Sequence, residues 1–585
     1  MKTEPARWRL DALYASFDDP AIEADLSWVE RACADFARFG GSLAQSLAEA
    51  VEAFASINES ADQITAYYYF LSSRDSGDQE VKKFQSRAQE RMAAAFSGLA
   101  FFEIEIGALD EAAYLAQADG RKWKPWTDRI RKLARYQLSE KEEALLSRLA
   151  PFGGQEWDDM LDEMENKLAF DINGKLLSLS ETVHLLGTSQ DRRERAEAMR
   201  EFNSTLASSN YMLLRTRALN LVAGLKAISD KDRGFPSPMS ARNISNNVDD
   251  EVVLALHRAV SSKGAEMGRR YYSLLARILG VPKLSWADRN APAPFSSPRV
   301  FEWDEAAGIV LSAYRGFSPA LAALVEESIA LGRIDAPPGK GKNSGAYNYT
   351  LVGKGGEVSS WTFLNYLGSA RDVMTLAHEL GHSVHGLLAG RAQGNLLAQA
   401  PMAYAETASI FGEMLTFSHL LAREDEPKGK LALIMGKCND WLNSVNRQIS
   451  FSMFEQRLHE SRREGKASPE DLCREWVAAS REMYGDIFDY SDMENLWCYV
   501  GHFMRPFYVY AYSFGELFTQ SLFARREAIG ADFEPLYLDM LASGGSRDAV
   551  ELMRPFGLDP REGDFWTRGI DRSIGAWLDE AEKLA

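Results

Sequence analysis

The feature that most constrains this chain is a pattern of two histidines and a glutamate in the stretch TLAHELGHSVHGLLAG. His378 and His382 are four residues apart, so on an α-helix both imidazoles project from one face, one turn apart. Both rings can then reach one metal ion, and Glu379 follows the first of them closely enough to reach a water on that ion. Asp372 near the start and Gly390 near the end are typical of helix termini. The pattern therefore predicts a zinc-type hydrolytic site on a helix.

Composition excludes several classes of partner. The chain has 585 residues, of which 46% are hydrophobic and 26% charged, as expected for a globular protein. Its net charge of −18 argues against nucleic acid and against an anionic membrane, since both need a basic surface. We find neither a signal peptide nor a long apolar run, and the four cysteines form no close pair. We therefore expect a cytoplasmic protein with reduced thiols.

Helical periodicity dominates the chain and predicts a mainly α fold. We divide the sequence into an N-terminal helical region, residues 1–198, and a catalytic region, residues 199–585. A short hairpin with an Asn-Gly turn is expected within residues 171–180. The best strand candidates are AYNYTL and VSSWTFLNYLG, directly before the histidine-bearing helix, because both are rich in aromatic and β-branched residues. A small β-hairpin or sheet is therefore expected beside that helix.

One of these strands could bind an extended peptide through its backbone. The residues that we predict for this substrate strand are Phe363, Leu364, Asn365 and Tyr366. A purely structural hairpin is the alternative, and sequence position alone does not separate the two.

A catalytic zinc site takes three protein ligands and leaves one position for water, so a third ligand is needed. The segment AYAETASIFGEML predicts a helix in which Glu406 and Glu413 share a face. Because its other residues are small or apolar, both carboxylates would be buried and would need partners. We predict that Glu406 is the third ligand and that Glu413 orients a ligand histidine. His385 lies on the same helix face as His378 and is a second candidate for such a supporting role.

Peptide hydrolysis also needs hydrogen-bond donors for the negative oxygen that develops in the transition state. The segment HFMRPFYVYAYSFG holds His502 and three tyrosines, Tyr508, Tyr510 and Tyr512. A buried aromatic strip is the commoner meaning of such a run, but the histidine favours a functional role.

Taken together, these segments resemble the thimet oligopeptidase and oligoendopeptidase F family of zinc metallopeptidases, with the oligoendopeptidase F branch closer. The resemblance covers about residues 233–516 and includes HELGHSVH, AETASIFGE, SGAYNYTL, FLNYLGSARDV and HFMRPFYVYAY. It implies a large multi-helix body split by a deep substrate channel, with one zinc ion on its floor and short peptides as substrates. It does not imply an oligomeric state.

Carried over residue by residue, the resemblance implies zinc ligands at His378, His382 and Glu406, with Glu379 as general base. It implies an oxyanion site made by His502 and a tyrosine, Tyr512 first and Tyr508 second. Together these residues predict an oligoendopeptidase.

Two alternatives stay open. One is a carboxypeptidase or dipeptidyl carboxypeptidase on the same scaffold, for which Arg505 could anchor the substrate carboxylate. The other is a catalytically dead peptide-binding protein, against which the intact Glu379 argues.

Overall fold

The computed structural model describes residues 5–149, 153–208, 210–295 and 299–585. Within these ranges the chain is mainly α-helical and carries only small β-sheets, which confirms the predicted fold class. The first half of the helices are α1 Pro20–Phe36, α2 Leu43–Arg74, α3 Gln79–Phe96, α4 Phe101–Ala108, α5 Glu111–Ala118, α6 Lys124–Ala134, α7 Glu140–Leu149, α8 Gly154–Glu165, α9 Leu179–Thr188, α10 Arg192–Ser208, α11 Asn210–Arg233, α12 Ser240–Ser245, α13 Asp250–Ala259 and α14 Ala265–Leu279.

The remaining helices belong to the second half of the chain. They are α15 Trp303–Phe317, α16 Pro319–Ala330, α17 Ala370–Gln393, α18 Met402–Ala405, α19 Thr407–Arg423, α20 Pro427–Ser444, α21 Asn446–Glu464, α22 Pro469–Tyr484, α23 Tyr510–Phe523, α24 Arg526–Ile529, α25 Phe533–Ala542, α26 Ala549–Met553, α27 Gly563–Ile570 and α28 Ala576–Leu584.

Three small sheets interrupt the helices. Their strands are β1 Phe170–Ile172, β2 Lys175–Leu177, β3 Leu284–Ser285, β4 Ile334–Asp335, β5 Tyr347–Val352, β6 Val358–Phe363 and β7 Phe488–Asp489. β1 and β2 form the predicted hairpin, and Asn173 and Gly174 both adopt positive φ angles at its turn, as a two-residue hairpin requires. β3 pairs in parallel with β7, and the third sheet has the order β4-β6-β5.

The chain packs as two compact units, each built from several segments. Unit 1 comprises Met1–Arg135, Pro298–Arg423 and Arg525–Gly557, and unit 2 comprises Tyr136–Ser297, Glu424–Ala524 and Leu558–Ala585. The sequence predicts a boundary between residues 198 and 199, which divides the chain into two continuous regions, whereas each packed unit contains several segments. The sequence-based boundary stays a prediction.

The core of unit 1 joins the N-terminal helices to the three-stranded sheet. The ring of Trp8 lies 4.9 Å from that of Phe70 on α2 and 5.6 Å from that of Phe363 on β6. Tyr347 on β5 stacks on Phe363 with 4.9 Å between ring centroids. These aromatic contacts bury one face of the sheet, as expected for large apolar rings with offset or edge contacts.

Helix α17, which carries the two histidines, begins at a capping box. The Ser369 side chain accepts a hydrogen bond from the backbone of Asp372, whose carboxylate accepts one from the Ser369 backbone. The helix continues past Gly390, the end predicted from sequence, because the residue that terminates it is Gly394 with φ 71°. Gly390 is instead a point where α17 meets Val358 of β6.

Glycines inside α17 let neighbouring elements approach its backbone closely. A β-carbon at Gly381 would lie 2.5 Å from the carbonyl oxygen of Ala408 on α19, and one at Gly386 would collide with Thr350 of β5. Only glycine permits both approaches. They bring α19 and β5 against the same helix that carries His378 and His382.

The helices were compared with the length and apolar composition that a membrane span needs. Within the described ranges, no single helix has the length and apolar character for crossing a membrane, whereas Gln79–Ala108 and Glu111–Ala118, bent by 109°, meet those two criteria only together.

Candidate active site

The two histidines of α17 face each other as the four-residue spacing predicts. The ring centroids of His378 and His382 lie 4.9 Å apart, and each side chain is about one-quarter exposed, at 27% and 23%. The Nε2 atoms of both rings point towards Glu406, whose Oε2 lies 3.2 Å from each. The structure therefore brings the three predicted ligands together in unit 1.

The helix around Glu406 is interrupted at that residue. The sequence predicts one continuous helix from residue 403 to 415, but α18 ends at Ala405, α19 starts at Thr407, and Glu406 caps the first with φ −77° and ψ 0°. That prediction is therefore wrong at its centre. The break falls at the residue whose carboxylate contacts both histidines.

Glu413 contacts the opposite nitrogen of the first histidine. Its Oε1 lies 2.7 Å from Nδ1 of His378. If that Nδ1–H donates to the carboxylate, the lone pair of Nε2 is left for a metal ion. A neighbouring carboxylate usually fixes the tautomer of a ligand histidine in this way. The contact is the one expected for the orienting role predicted for Glu413.

Glu379 is buried beside this cluster and lacks a partner for one oxygen. The residue is 5% exposed, and its Oε2 accepts no hydrogen bond. Burial raises the pKa of Glu379, although the charges of His378 and His382 act in the opposite direction. A buried carboxyl with an unpaired oxygen and a raised pKa is suited to receiving a proton.

The charges of the ligand cluster are strongly coupled. Burial disfavours the charged form of His378, but the hydrogen bonds that its ring donates to Glu406 and Glu413 outweigh this effect and hold the pKa of His378 well above its usual range. Burial likewise opposes ionisation of Glu406, and the hydrogen bonds from His378 and His382 reverse this and hold the pKa of Glu406 well below its usual range.

His385 lies outside the ligand set. It is 8% exposed, burial lowers its pKa to about 4, and its ring hydrogen-bonds to the backbone of Ala405. Among the residues described, the group whose donor atoms can meet at one metal ion is His378, His382 and Glu406. A supporting role for His385, through the residue directly before Glu406, stays a prediction.

The ligand cluster fits a metal ion. One nitrogen from each histidine and one carboxylate oxygen all lie within 4.8 Å of one another. Two imidazole nitrogens and one carboxylate oxygen form a donor set that zinc accepts in catalytic sites. The unpaired oxygen of Glu379 is the additional polar group that such a site leaves facing a water molecule.

A cavity of about 640 Å³ opens in front of these side chains. It is lined by the ligand cluster, by Asp62 of α2, by residues 346–350 and by residues 398–400. Strand β5 therefore forms one wall of the cavity. The volume is in the range of sites that bind small molecules or a few residues of peptide.

The predicted substrate strand lies in a different place from this wall. β6, the central strand of its sheet, ends at Phe363, so the prediction of a strand at Leu364, Asn365 and Tyr366 is wrong. Phe363, Leu364 and Tyr366 are at most 6% exposed. The backbone N–H groups of Leu364 and Tyr366 donate to Asp335 and Ala336, and Asn365 binds backbone carbonyls of Asn343 and Gly345. The structure thus uses residues 363–366 internally, and the sheet edge that lines the cavity is β5.

The predicted oxyanion donors lie in unit 2. His502, in a 3₁₀ turn at Gly501–Met504, has its Nε2 at 3.1 Å from the hydroxyl of Tyr512, which is 38% exposed. The Tyr508 ring lies 5.7 Å from His502 and 5.5 Å from Tyr512. Tyr510 is instead fully buried and accepts a hydrogen bond from Asn246. The structure thus groups the three residues predicted to act and makes Tyr510 a core residue.

The turn that carries Tyr508 is held by a buried carboxylate that the sequence did not reveal. Phe507 has φ 57°, which is unusual for a bulky residue, and its N–H donates to Oε1 of Glu455 at 2.7 Å. Arg242 donates to the carbonyl of Pro506 from the same side. The available signal was the position of Glu455 directly after Met453 and Phe454 on α21, because an acidic residue packed among apolar neighbours needs a specific partner.

The pKa of Glu455 predicts a pH-dependent stability. Burial raises this pKa from 4.5 to about 8. Because the folded state then holds a proton that the unfolded state has lost, stability is full below about pH 4.5 and falls as pH rises towards about 8, by at most about 1.4 kcal/mol per pH unit. We expect Glu455→Gln, which resembles the protonated form, to flatten this fall in urea unfolding measured between pH 5 and 9.

The matched control is Glu460→Gln on the same helix, since Glu460 is exposed. That variant should keep the pH dependence of the parent chain. If Glu455→Gln lost stability equally at every pH, the pH dependence would not arise from Glu455, and a loss that grew with pH would mean that the ionised form is the stabilising one; either result would contradict our prediction.

Comparison with known proteins identifies the class of this site. Residues 320–572 match the profile of peptidase family M3, and residues 105–170 match the oligopeptidase F profile. The chain is 24% identical over 614 residues to an oligoendopeptidase F homologue of Lactococcus lactis, covering 100% of this chain and 98% of the relative. It is 23% identical over 570 residues to oligopeptidase PepF of Bacillus subtilis, covering 94% and 83%.

Solved structures agree with this at the level of the fold. The crystal structure of oligoendopeptidase F from Enterococcus faecium superimposes with a TM-score of 0.71 at 20% identity, covering 97% of this chain and 99% of that one. The fold and the site thus define a peptidase. Over residues 320–572 the chain resembles peptidase family M3, and within that family it is similar to oligoendopeptidase F.

Proposed function

We propose that this chain is a zinc-dependent oligoendopeptidase that hydrolyses internal bonds of short peptides. The observation that carries the proposal is the convergence of donor atoms from His378, His382 and Glu406 within 4.8 Å of one another, beside the unpaired buried oxygen of Glu379. Similarity to peptidases that are named for oligopeptides supports the substrate class.

In this proposal each residue around the ligand cluster has one task. His378, His382 and Glu406 would hold the zinc ion, which supplies Lewis-acid activation of water and of the scissile carbonyl. Glu379 takes a proton from the attacking water as the new C–O bond forms, and it then gives that proton to the leaving amine as the peptide C–N bond breaks. Glu413 keeps His378 in the tautomer that presents Nε2 to the metal.

The peptide would be held by the edge of the sheet. We assign this role to β5 rather than to residues 363–366, because β5 is an edge strand and residues 346–350 line the cavity. An extended peptide can add to such an edge through backbone hydrogen bonds, without a requirement for particular side chains. We therefore expect a broad sequence preference.

The oxyanion role of His502 with Tyr512, or with Tyr508, stays part of the proposal. Its support is the family resemblance and the chemistry of the donors, since an imidazole and a phenol can both donate to a developing negative charge. The 3.1 Å contact between His502 and Tyr512 is consistent with two donors that share one acceptor.

The test uses peptides whose ends are blocked. We expect the zinc-loaded protein to cleave N-acetylated, C-amidated peptides of about 6 to 20 residues at internal bonds, and to spare the same sequences within a folded protein, because a concave site accepts a limited length of extended chain. Mass spectrometry of the products reads out the positions. Cleavage only of peptides with free C-termini would favour the carboxypeptidase alternative with Arg505 as anchor, and no cleavage of either kind would favour a peptide-binding protein.

The ligand assignment makes a separate prediction about metal affinity. Glu406→Ala removes a ligand and should weaken zinc binding by more than about 100-fold, whereas Glu413→Ala removes only a partner of His378 and should weaken it by about 10- to 100-fold. Competition with a chromophoric chelator measures both affinities. A larger loss in the Glu413 variant would exchange the two roles.

A cytoplasmic location remains a prediction. It is supported by four cysteines that are all free thiols in the structure.

A further inference from the structure

A small cavity in unit 2 is lined by two arginines. Arg289, which follows the 3₁₀ turn Trp286–Asp288, and Arg447, on α21, both border a space of about 50 Å³. Its other walls are largely aromatic and aliphatic. Among the described residues that line it, none is acidic. Two arginines thus line one small space whose described wall contains no carboxylate.

The hydrogen-bond partners of both arginines are neutral. Arg289 donates to the amide oxygen of Asn443, and its guanidinium lies 5.5 Å from the centre of the Trp286 ring. Arg447 donates to the hydroxyl of Tyr499 and lies 5.0 Å from the centre of the Phe451 ring. These contacts satisfy donors but add no negative charge. Burying two like charges without a counter-charge is costly.

Asp288, the buried carboxylate that precedes Arg289 in the chain, is already paired. Asp288 is fully buried, and it accepts hydrogen bonds from Arg192, from Arg195 and from the Ser285 N–H. Because Asp288 already pairs with Arg192 and Arg195, its negative charge does not compensate the charges of Arg289 and Arg447. The local excess of positive charge therefore remains.

A tyrosine hydroxyl in the same cavity lacks a partner. Tyr484 lines the cavity and is 1% exposed, and its hydroxyl group makes no hydrogen bond. Burial raises the pKa of Tyr484, while the charges of Arg289 and Arg447 lower it, so both guanidiniums act on this hydroxyl. An O–H donor next to two cations, with no acceptor, has the chemistry of an anion site.

We infer that this cavity binds one small inorganic anion, chloride, between Arg289, Arg447 and the hydroxyl of Tyr484. The size of the space selects a compact ion, because about 50 Å³ holds a halide and leaves no room for a peptide or a nucleotide. A water molecule could accept the Tyr484 hydrogen bond, but it would leave the two positive charges uncompensated. The site is additional to the peptidase site proposed above.

Occupancy of this site would act on the segment that carries His502. Arg447 binds Tyr499, which ends the turn Leu496–Tyr499 directly before the turn Gly501–Met504 that holds His502. A chloride ion that compensates Arg447 would stabilise that arrangement. The stability of the protein should therefore depend on chloride, whether or not the peptidase is active.

The test combines diffraction with thermal unfolding of the full chain. Crystals soaked in sodium bromide should give an anomalous peak between Arg289, Arg447 and Tyr484. In chloride-free buffer, sodium chloride should raise Tm saturably, and sodium gluconate at equal ionic strength should not. Bromide density that is absent from the cavity, or equal responses to the two salts, would overturn the inference.

Two tyrosine variants make the test specific. Tyr484→Phe removes only the hydroxyl. It should raise the Kd for chloride at least about tenfold, as expected for a lost hydrogen bond to an ion. The control is Tyr490→Phe, which removes a hydroxyl bonded to the Gly485 carbonyl outside the cavity and should lower Tm equally in both salts. An unchanged chloride affinity in Tyr484→Phe would remove that residue from the site. If that variant does not fold, the bromide peak in the parent chain decides.

Discussion

Replacing Glu379 by glutamine should lower kcat by about 10²- to 10⁴-fold, the range that a positioned general base supplies. The amide keeps the shape of the side chain but cannot take a proton from water. Because Glu379 is not among the three residues whose donor atoms converge, the variant should bind zinc as tightly as the parent chain. Steady-state hydrolysis of a blocked peptide and the metal content after dialysis measure the two effects together.

The structure also predicts a gain in stability for this variant. Glu379 is buried with an unpaired oxygen and a raised pKa, so its ionised form costs folding free energy. Glutamine removes that charge. Loss of activity with unchanged or increased Tm would therefore separate a catalytic role from a structural one. Glu357→Gln, at an exposed position of unit 1, is the control and should leave kcat unchanged. Near-normal turnover in Glu379→Gln would exclude the general-base role.

The part of the site that sequence predicts best is the part that lies on one helix. The contact between His378 and His382 follows from helical geometry alone, because residues four apart share a face. Glu406 and Glu413 were predicted to be buried with partners because they interrupt an apolar run; the structure leaves their side chains 38% and 21% exposed, and it places both against His378. Burial of a charge requires a partner, and this requirement can be recognised without knowing the fold.

Features that depend on contacts between distant segments were not predictable in this way. The strands β5 and β6 were both expected, but which of them is the edge depends on β4, a pair of residues without any strand pattern. Residues 402–410, which surround the break at Glu406, contain neither proline nor glycine, so the sequence does not indicate a break there. It is stabilised by the contacts of its carboxylate, which involve another helix.

The same limit applies to the buried groups of unit 2. Glu455 is paired with the N–H of Phe507, and Tyr484 shares its cavity with Arg289, which is far from it in sequence. The apolar residues directly before Glu455 indicate that it needs a partner, but they do not identify that partner. These pairings become visible only after the helices have packed.

Replacing Tyr512 by phenylalanine should lower kcat by about 10²- to 10³-fold and leave KM nearly unchanged, the typical effect of losing one oxyanion donor. The hydroxyl would bond weakly to the ground-state carbonyl and strongly once charge develops, so its loss affects the transition state. Zinc content and Tm should stay close to the parent values, since the ring remains and the residue is 38% exposed.

Two neighbouring tyrosines serve as comparators for this variant. Tyr510→Phe removes a buried hydroxyl that accepts a hydrogen bond from Asn246, so it should lower stability while the rate is kept. Tyr508→Phe tests the second candidate donor. Full activity in Tyr512→Phe with a large loss in Tyr508→Phe would transfer the role to Tyr508.

The contact between His502 and Tyr512 predicts how their effects combine. Their side chains lie 3.1 Å apart, so if both donate to one oxyanion, the removal of either also changes the environment of the other. Burial and the charges of Arg447 and Arg505 lower the pKa of His502, which leaves a neutral imidazole near pH 7 that can either donate or accept. His502→Ala combined with Tyr512→Phe should therefore lose less activity than the product of the single losses. Strictly multiplicative losses would mean that the two residues act at separate points of the reaction.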